Sequence, residues 1–142
     1  MAVTDDQEVT LVLANQVSEI GRLAEAVEAF GESHGLGPKV VYALQLALEE
    51  IVMNVISYGW SDGGAHEVRV RVGRDDGGVT ASVEDDGRAF DPLGVVEQDL
   101  SLPLEQRRPG GLGVMLTRKF MDEVQYARAG ERNVLTMRKR VG

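Results

Sequence analysis

The sequence contains no cysteine. Disulfide scaffolds, thiolate metal sites and cysteine nucleophiles are therefore excluded, and a reducing compartment is compatible with the chain. Histidine is nearly as scarce: His34 and His66 are the only two. Each falls at a helix end or a strand start, where a structural or exposed role is expected, and neither sits in the context of a dimerisation helix, so an autophosphorylating histidine is not expected. The N-terminus, Met1-Ala2-Val3-Thr4-Asp5-Asp6-Gln7-Glu8, is acidic and lacks the basic start and apolar stretch of a signal peptide. No apolar run approaches the length needed to span a bilayer, so a cytoplasmic protein without a membrane partner is expected. Basic residues are outnumbered, 15 Lys and Arg against 23 Asp and Glu, for a net charge of −8. An acidic domain repels phosphate backbones, which disfavours direct binding of nucleic acid. The terminal run Arg138-Lys139-Arg140 reads either as a local basic patch or as a solvated strand end.

What remains is an ordinary globular composition, 43% hydrophobic and 27% charged over 142 residues. That length is one domain's worth, 1–142, and enough to enclose a core. Val9, Leu11 and Leu13 alternate with Thr10 and Val12 and suggest a first strand. Asn15 and Ser18 are candidate caps for an amphipathic helix that runs to about Ser33, with Val17, Ile20, Leu23, Ala24, Val27 and Phe30 on its apolar face. His34-Gly35-Leu36-Gly37-Pro38 breaks it. A second helix, from about Pro38 to Tyr58, is apolar almost all round and so buried on more than one side. A hairpin follows, Val68, Val70 and Val72 leading through Asp75-Asp76-Gly77-Gly78 to Val79, Ala81 and Val83. An irregular stretch to about Pro109 holds Pro92, Gly94 and Pro103 and has the length of a functional lid. A third helix spans Val114 to about Met121, and Val124 to Ala127 and Val134 to Met137 read as closing strands. The order implies an α+β sandwich, with helices on one face of a mixed, mainly antiparallel sheet.

Three segments carry candidate chemistry. In Glu49-Glu50-Ile51-Val52-Met53-Asn54 the helical period of roughly 100° per residue puts Glu50 and Asn54 about 40° apart on one face. Their neighbours there are Ala43, Leu46 and Ala47, while Leu44, Leu48, Ile51, Val52 and Val55 make the opposite, core-facing side. A carboxylate can orient or deprotonate a hydroxyl, and an amide oxygen suits Mg²⁺; the same spacing also describes a partly exposed polar stripe. Val83-Glu84-Asp85-Asp86-Gly87 ends a strand with a carboxylate able to accept a hydrogen bond from an amino group, followed by a glycine that lets backbone approach a flat ligand; alone it is equally an ordinary Asp-Gly turn. Arg107-Arg108-Pro109-Gly110-Gly111-Leu112-Gly113 exposes backbone N–H groups at a helix start behind two arginines, an arrangement suited to anions. It is also a flexible connector, and with no lysine after the glycines it is not a P-loop.

Taken together, in this order and spacing, the three segments resemble the GHKL ATPase superfamily, and within it the anti-sigma serine kinases of bacterial partner-switching systems, the RsbW type. Glu50 to Asn54 is similar to that family's N box and Val83 to Pro92, with Phe90-Asp91-Pro92, to its first glycine box. Gly110 to Gly113, trailed by Phe120-Met121-Asp122-Glu123-Val124, is similar to the second box and its sequel. The resemblance implies the two-layer Bergerat fold with an ATP lid, ATP and Mg²⁺ as cofactors, and phosphorylation of a serine on an anti-anti-sigma (STAS) protein by a domain that also holds a sigma factor. It implies Asn54 as the Mg²⁺ ligand, Glu50 as base or orienting group, Asp85 at the adenine amino group with Gly87 beside the ring, and Phe90 among the nucleotide contacts. Gly110, Gly111, Leu112 and Gly113 present backbone to the phosphates, and Arg107 or Arg108 touches the γ-phosphate. Relatives commonly dimerise, and the first strand and helix are a possible seam. Ala89 departs from the pattern where many relatives have a second glycine, Tyr58 where some have histidine, and Pro109 falls inside the lid end. A nucleotide-dependent module that sequesters a partner without catalysis is the alternative.

Overall fold

The apolar alternation near the start does produce a strand, and the long helix falls where its pattern ends. The computed structural model describes residues 2–4, 8–89 and 117–141. Its strands are β1 (Ala2–Thr4), β2 (Glu8–Ala14), β3 (Glu67–Arg74), β4 (Gly78–Asp85), β5 (Glu123–Ala129) and β6 (Arg132–Arg140). The helices are α1 (Ile20–Ser33) and α2 (Pro38–Tyr58), with a 3-10 turn at Val17–Glu19 leading into α1. Of the expected third helix, residues 117–120 are described and are helical. The strands form one sheet in the order β1-β2-β3-β4-β6-β5. Every pairing among them is antiparallel, so the mixed sheet expected from the sequence is in these strands purely antiparallel. The short edge strand β1 was not legible, because three residues carry no measurable period.

Each inner strand sends alternate residues to the helices. Val9, Leu11 and Leu13 of β2 stand beside Val72, Val70 and Val68 of β3, and these beside Ala81, Val83 and Asp85 of β4. Val83 and Ala81 are followed by Leu135 and Met137 of β6. The helices close this layer with Leu23, Val27 and Phe30 of α1 and Leu44, Leu48, Ile51, Val52 and Val55 of α2. A fully buried Leu or Ile here contributes about 1.5–3 kcal/mol. α1 lies over β2, and α2 over β4 and against α1. By length and composition α2 is apolar enough to cross a membrane, which corrects the expectation that no run reaches that length. Contact with the sheet on one side and with α1 on another accounts for that composition.

The helix ends show which local signals were read correctly. Gly35, at φ +66°, follows the C-cap of α1. Leu36 N–H donates to the Gly31 carbonyl at 2.9 Å and Gly35 N–H to that of Glu32 at 3.5 Å, a Schellman closure with Leu36 buried beneath it. Pro38 starts α2 at its first turn. Neither expected cap of the first helix is one. No side-chain cap bond is made there, because Asn15 is spent elsewhere: its Oδ1 accepts from His66 N–H at 3.0 Å and its Nδ2 donates to the Gly64 carbonyl at 3.1 Å. Both histidines are structural, His34 stacked on Phe30 and His66 on Trp60. The terminal basic run is partly committed too. Arg138 holds both oxygens of Asp75, at 2.7 and 2.9 Å, across the β3–β4 turn. That guanidinium, with the Gly77 N–H, keeps the Asp75 carboxyl well below the usual carboxylate range.

Two glycines flanking α1's core positions give opposite expectations. Gly21 is exposed inside α1 with open space where a Cβ would stand, so Gly21→Ala stabilises by about 0.5–1 kcal/mol. Gly35 has the same open space but a left-handed backbone, so Gly35→Ala destabilises by about 1 kcal/mol. Urea unfolding of the two variants beside the parent chain measures both signs.

Candidate functional site

α2 carries one nearly buried polar residue on its inner side. Asn54 is 6% exposed, set among Ile51, Val55 and the ends of β4 and β6. Its amide makes no side-chain hydrogen bond to any described residue and is not fully sealed from solvent, the one fully enclosed and unpaired side-chain atom among the described residues being Trp60 Nε1; the Asn54 amide is therefore open to a partner that enters the slot. Asp85, the last residue of β4, is 3% exposed in the same place. Its Oδ1 accepts from Gly87 N–H at 2.8 Å and from Asn133 Nδ2 at 3.0 Å, while Oδ2 accepts nothing from the described residues. Val83, Leu135, Tyr126 and Asn133 complete the lining of this slot. The site thus offers one fixed carboxylate oxygen, one free amide and apolar walls.

The turn after β4 holds Asp85 in place. Arg88 N–H donates to the Gly59 carbonyl at 2.9 Å, and Arg88 Nε to that of Tyr58 at 2.7 Å. These carbonyls end α2, where a cation also meets the negative end of the helix dipole. Gly87 passes so close that a Cβ there would stand 2.5 Å from the Gly59 oxygen and 2.9 Å from Asp85 Oδ1. The sequence gives Gly87 a place beside a flat ligand; the close approach in the structure is to the helix end.

Glu50 lies one turn up α2 from Asn54 and is not among the residues lining the slot. It is half-buried and burial raises its carboxyl above the ordinary value, as burial does for Glu49. Asn54, Asp85 and Gly87 are therefore brought together at one end of the sheet, with Glu50 beyond them. Phe90, Arg107, Arg108, Gly110, Gly111, Leu112 and Gly113 lie outside the described residues. Asn133, Arg128 and Arg88 belong to the same cluster and were missed. Only Asn133 left a signal, a polar residue at a position of β6 whose alternate neighbours, Leu135 and Met137, are core.

The lining suits an aminopurine nucleotide with a cation: an acceptor for an exocyclic amino group, apolar walls for a ring and an amide oxygen for a hard ion. Among the described residues no three carboxylate, histidine or cysteine side chains cluster as a ready-made metal cage, so a cation at Asn54 would draw ligands from phosphate oxygens, as Mg²⁺ commonly does. The slot itself is narrow, about 10 Å³, and a purine has to part its walls on entry. A larger cleft, about 210 Å³, lies on the sheet face away from the helices among Glu67, Arg69, Glu84, Asp86 and Arg132. One ion pair is made in it, Arg132 with Glu84 at 3.3 Å. The nearly buried Asn54 amide, without a side-chain partner among the described residues and beside Asp85, makes the smaller slot the stronger candidate.

Comparison with known proteins identifies the family of the chain. Residues 13–139 match the histidine kinase-like ATPase domain model. The serine/threonine-protein kinase BtrW of Bordetella bronchiseptica is 28% identical over 96 residues, 68% of each chain. The blue-light-activated histidine kinase 1 of Erythrobacter litoralis is 36% identical over 95 residues, 67% of this chain and 24% of that protein. The solved RsbU and RsbW domains of Rv1364c from Mycobacterium tuberculosis superpose with a TM-score of 0.69 at 15% identity, over 94% of this chain and 32% of theirs. That superposition shows the fold.

Gly87→Ala is expected to drive the turn off the α2 terminus and cost about 2–3 kcal/mol, more than an exposed-turn glycine would, measured by chemical denaturation. For Glu50 the sign of a pH dependence follows from its raised carboxyl. The folded state holds that proton more tightly than the unfolded chain, so the parent loses stability as pH rises from the ordinary carboxylate range through the raised value. Glu50→Gln lacks this loss, and its stability relative to the parent is expected to be greater at pH 7 than at pH 4.

Proposed function

We propose that this chain, which belongs to the histidine kinase-like ATPase domain family, binds Mg-ATP in the slot between α2 and the ends of β4 and β6 and transfers the γ-phosphoryl group to a protein serine. The observation that carries the reading is the Asn54 amide, nearly buried and without a side-chain hydrogen bond among the described residues, beside the fixed carboxylate of Asp85. Asp85 Oδ2 takes the adenine amino group, and Val83 and Leu135 bound the ring. Asn54 Oδ1 would hold the Mg²⁺, which would offset charge on the phosphates. Bound Mg-ATP supplies a phosphoryl group whose charge is already partly neutralised. Glu50 orients the serine hydroxyl and takes its proton as the serine oxygen bonds to phosphorus and the bridging oxygen leaves with ADP; its raised carboxyl favours that acceptance. Phe90, the backbone of Gly110 to Gly113, and Arg107 or Arg108 complete the nucleotide contacts.

The name of BtrW, a serine/threonine-protein kinase, supports a protein hydroxyl as the acceptor; a serine of an anti-anti-sigma (STAS) protein as that acceptor, a sigma factor as the second partner and the cytoplasm as the setting rest on the resemblance of the three sequence segments. The match spans only part of BtrW, so both partners rest on the reading of this domain. One feature favours a second reading: Glu50 stands outside the slot lining, as in a module that uses nucleotide only to govern its hold on a partner.

Calorimetric titration with Mg-ATP tests the site. The parent chain is expected to bind, and Asn54→Ala to lose about tenfold or more in affinity, 1.4 kcal/mol for each factor of ten. Absence of binding to the parent overturns the nucleotide reading. Incubation with Mg-ATP and a STAS partner then separates the two functions: phosphoserine formed by the parent and lost in Glu50→Gln supports transfer, whereas tight partner binding with ATP left intact supports the second reading.

A further inference from the structure

The buried side of the slot holds a hydrogen-bond network that nothing in the three sequence segments accounts for. Asn133 stands opposite Asp85 in the β4–β6 register and is 5% exposed. Its Oδ1 accepts from Tyr126 Oη at 2.5 Å and from Arg128 Nη1 at 3.1 Å. Its Nδ2 donates to Asp85 Oδ1 at 3.0 Å and to the Arg88 carbonyl at 2.8 Å. Arg128 Nη1 reaches the Gly87 carbonyl as well, at 2.8 Å. A guanidinium only donates and a carbonyl only accepts, so Arg128 on one side and Arg88 on the other fix which way the Asn133 amide faces.

From this network we propose that Asn133, held by Tyr126 and Arg128, is a positioning residue that makes the site selective for 6-aminopurine over 6-oxopurine nucleotides. The inference rests on the nucleotide reading given above. Asp85 has two oxygens, and Oδ1 is pinned by two donors, the Gly87 N–H and the Asn133 amide. Oδ2 is then the one oxygen of that carboxylate left without a donor among the described residues, and the two bonds to Oδ1 fix its place. A 6-amino group donates to it. A 6-oxo group sets an acceptor against an acceptor, and the neighbouring ring N–H of such a base would need the carboxylate to turn or shift to receive it. The pinned Oδ1 forbids that turn. Asn133 itself offers the base no alternative partner, since its amide is already engaged on both sides. Discrimination in this chain therefore depends on the β5–β6 hairpin as well as on Asp85.

ATP and ITP differ at this edge of the base, and calorimetric titration of the full chain with the magnesium complex of each reads the effect. The parent is expected to favour ATP by about tenfold or more. Asn133→Ala is expected to bring the two within about threefold, by weakening ATP with little change for ITP, because the phosphate and ribose contacts are untouched. Tyr126→Phe keeps the ring in the slot, removes one of the two donors to Asn133, and is expected to narrow the ratio by a smaller factor. Thermal melts show whether Asn133→Ala is folded; if it is not, the ratio for Tyr126→Phe decides. An unchanged ratio in the folded variants, or equal losses for both nucleotides, overturns the proposal, since a purely structural residue would weaken both alike. A parent that binds ATP and ITP equally overturns the selectivity while leaving the nucleotide reading intact. A parent that binds neither overturns that reading and this inference together.

Discussion

The contact on which the rest of the site depends is the close approach of the β4 turn to the end of α2. Gly87 has no side chain because the Gly59 carbonyl occupies the place where one would begin. Arg88 then satisfies the exposed carbonyls of Tyr58 and Gly59 with its N–H and its guanidinium. A helix end otherwise leaves such carbonyls without intrahelical partners. One turn thus closes the helix that carries Asn54 and anchors the strand end that carries Asp85. Neither residue is positioned by its own element alone.

From that junction a polar network runs outward through Asn133 to Tyr126 and Arg128 at the edge of the sheet. Hydrogen bonds that share partners in a poorly solvated place reinforce one another and restrict rotation. The network also explains how a carboxylate at 3% exposure is tolerated beside apolar walls: its inner oxygen takes two hydrogen bonds. Asn54 has no side-chain hydrogen bond among the described residues, and Glu50 is pressed toward its neutral form by burial. A fold with a purely structural purpose gains nothing from either, whereas a ligand that supplies the missing partners turns both into binding and reactivity.

Much of the fold was legible because its signals are periodic and local. The bounds of α2 follow from Pro38 at its first turn and Gly59 after its last, and its two-sided burial follows from apolar residues on nearly every face. Alternating valines gave β3 and β4. Asn15 misled as a helix cap because its side chain bonds to His66 and Gly64, some fifty positions away in the chain. Period alone could not say that every described strand pairing is antiparallel or that a short strand lies beside β2, since pairing is decided between segments.

For the site, the sequence by itself determined which residue types are available and that Glu50 and Asn54 share a helix face, because a helix fixes the angle between neighbours four apart. It also placed Asp85 at a strand end before a glycine. Only the tertiary structure decided that Asn54 is nearly buried in the slot while Glu50 stays outside its lining, because that depends on where α2 crosses β4. Only it decided that Gly87 serves the helix end and that Asn133, forty-eight residues from Asp85, completes the carboxylate's hydrogen bonding. Strand register brings those two side chains together, and register is a property of the folded sheet rather than of either strand's sequence.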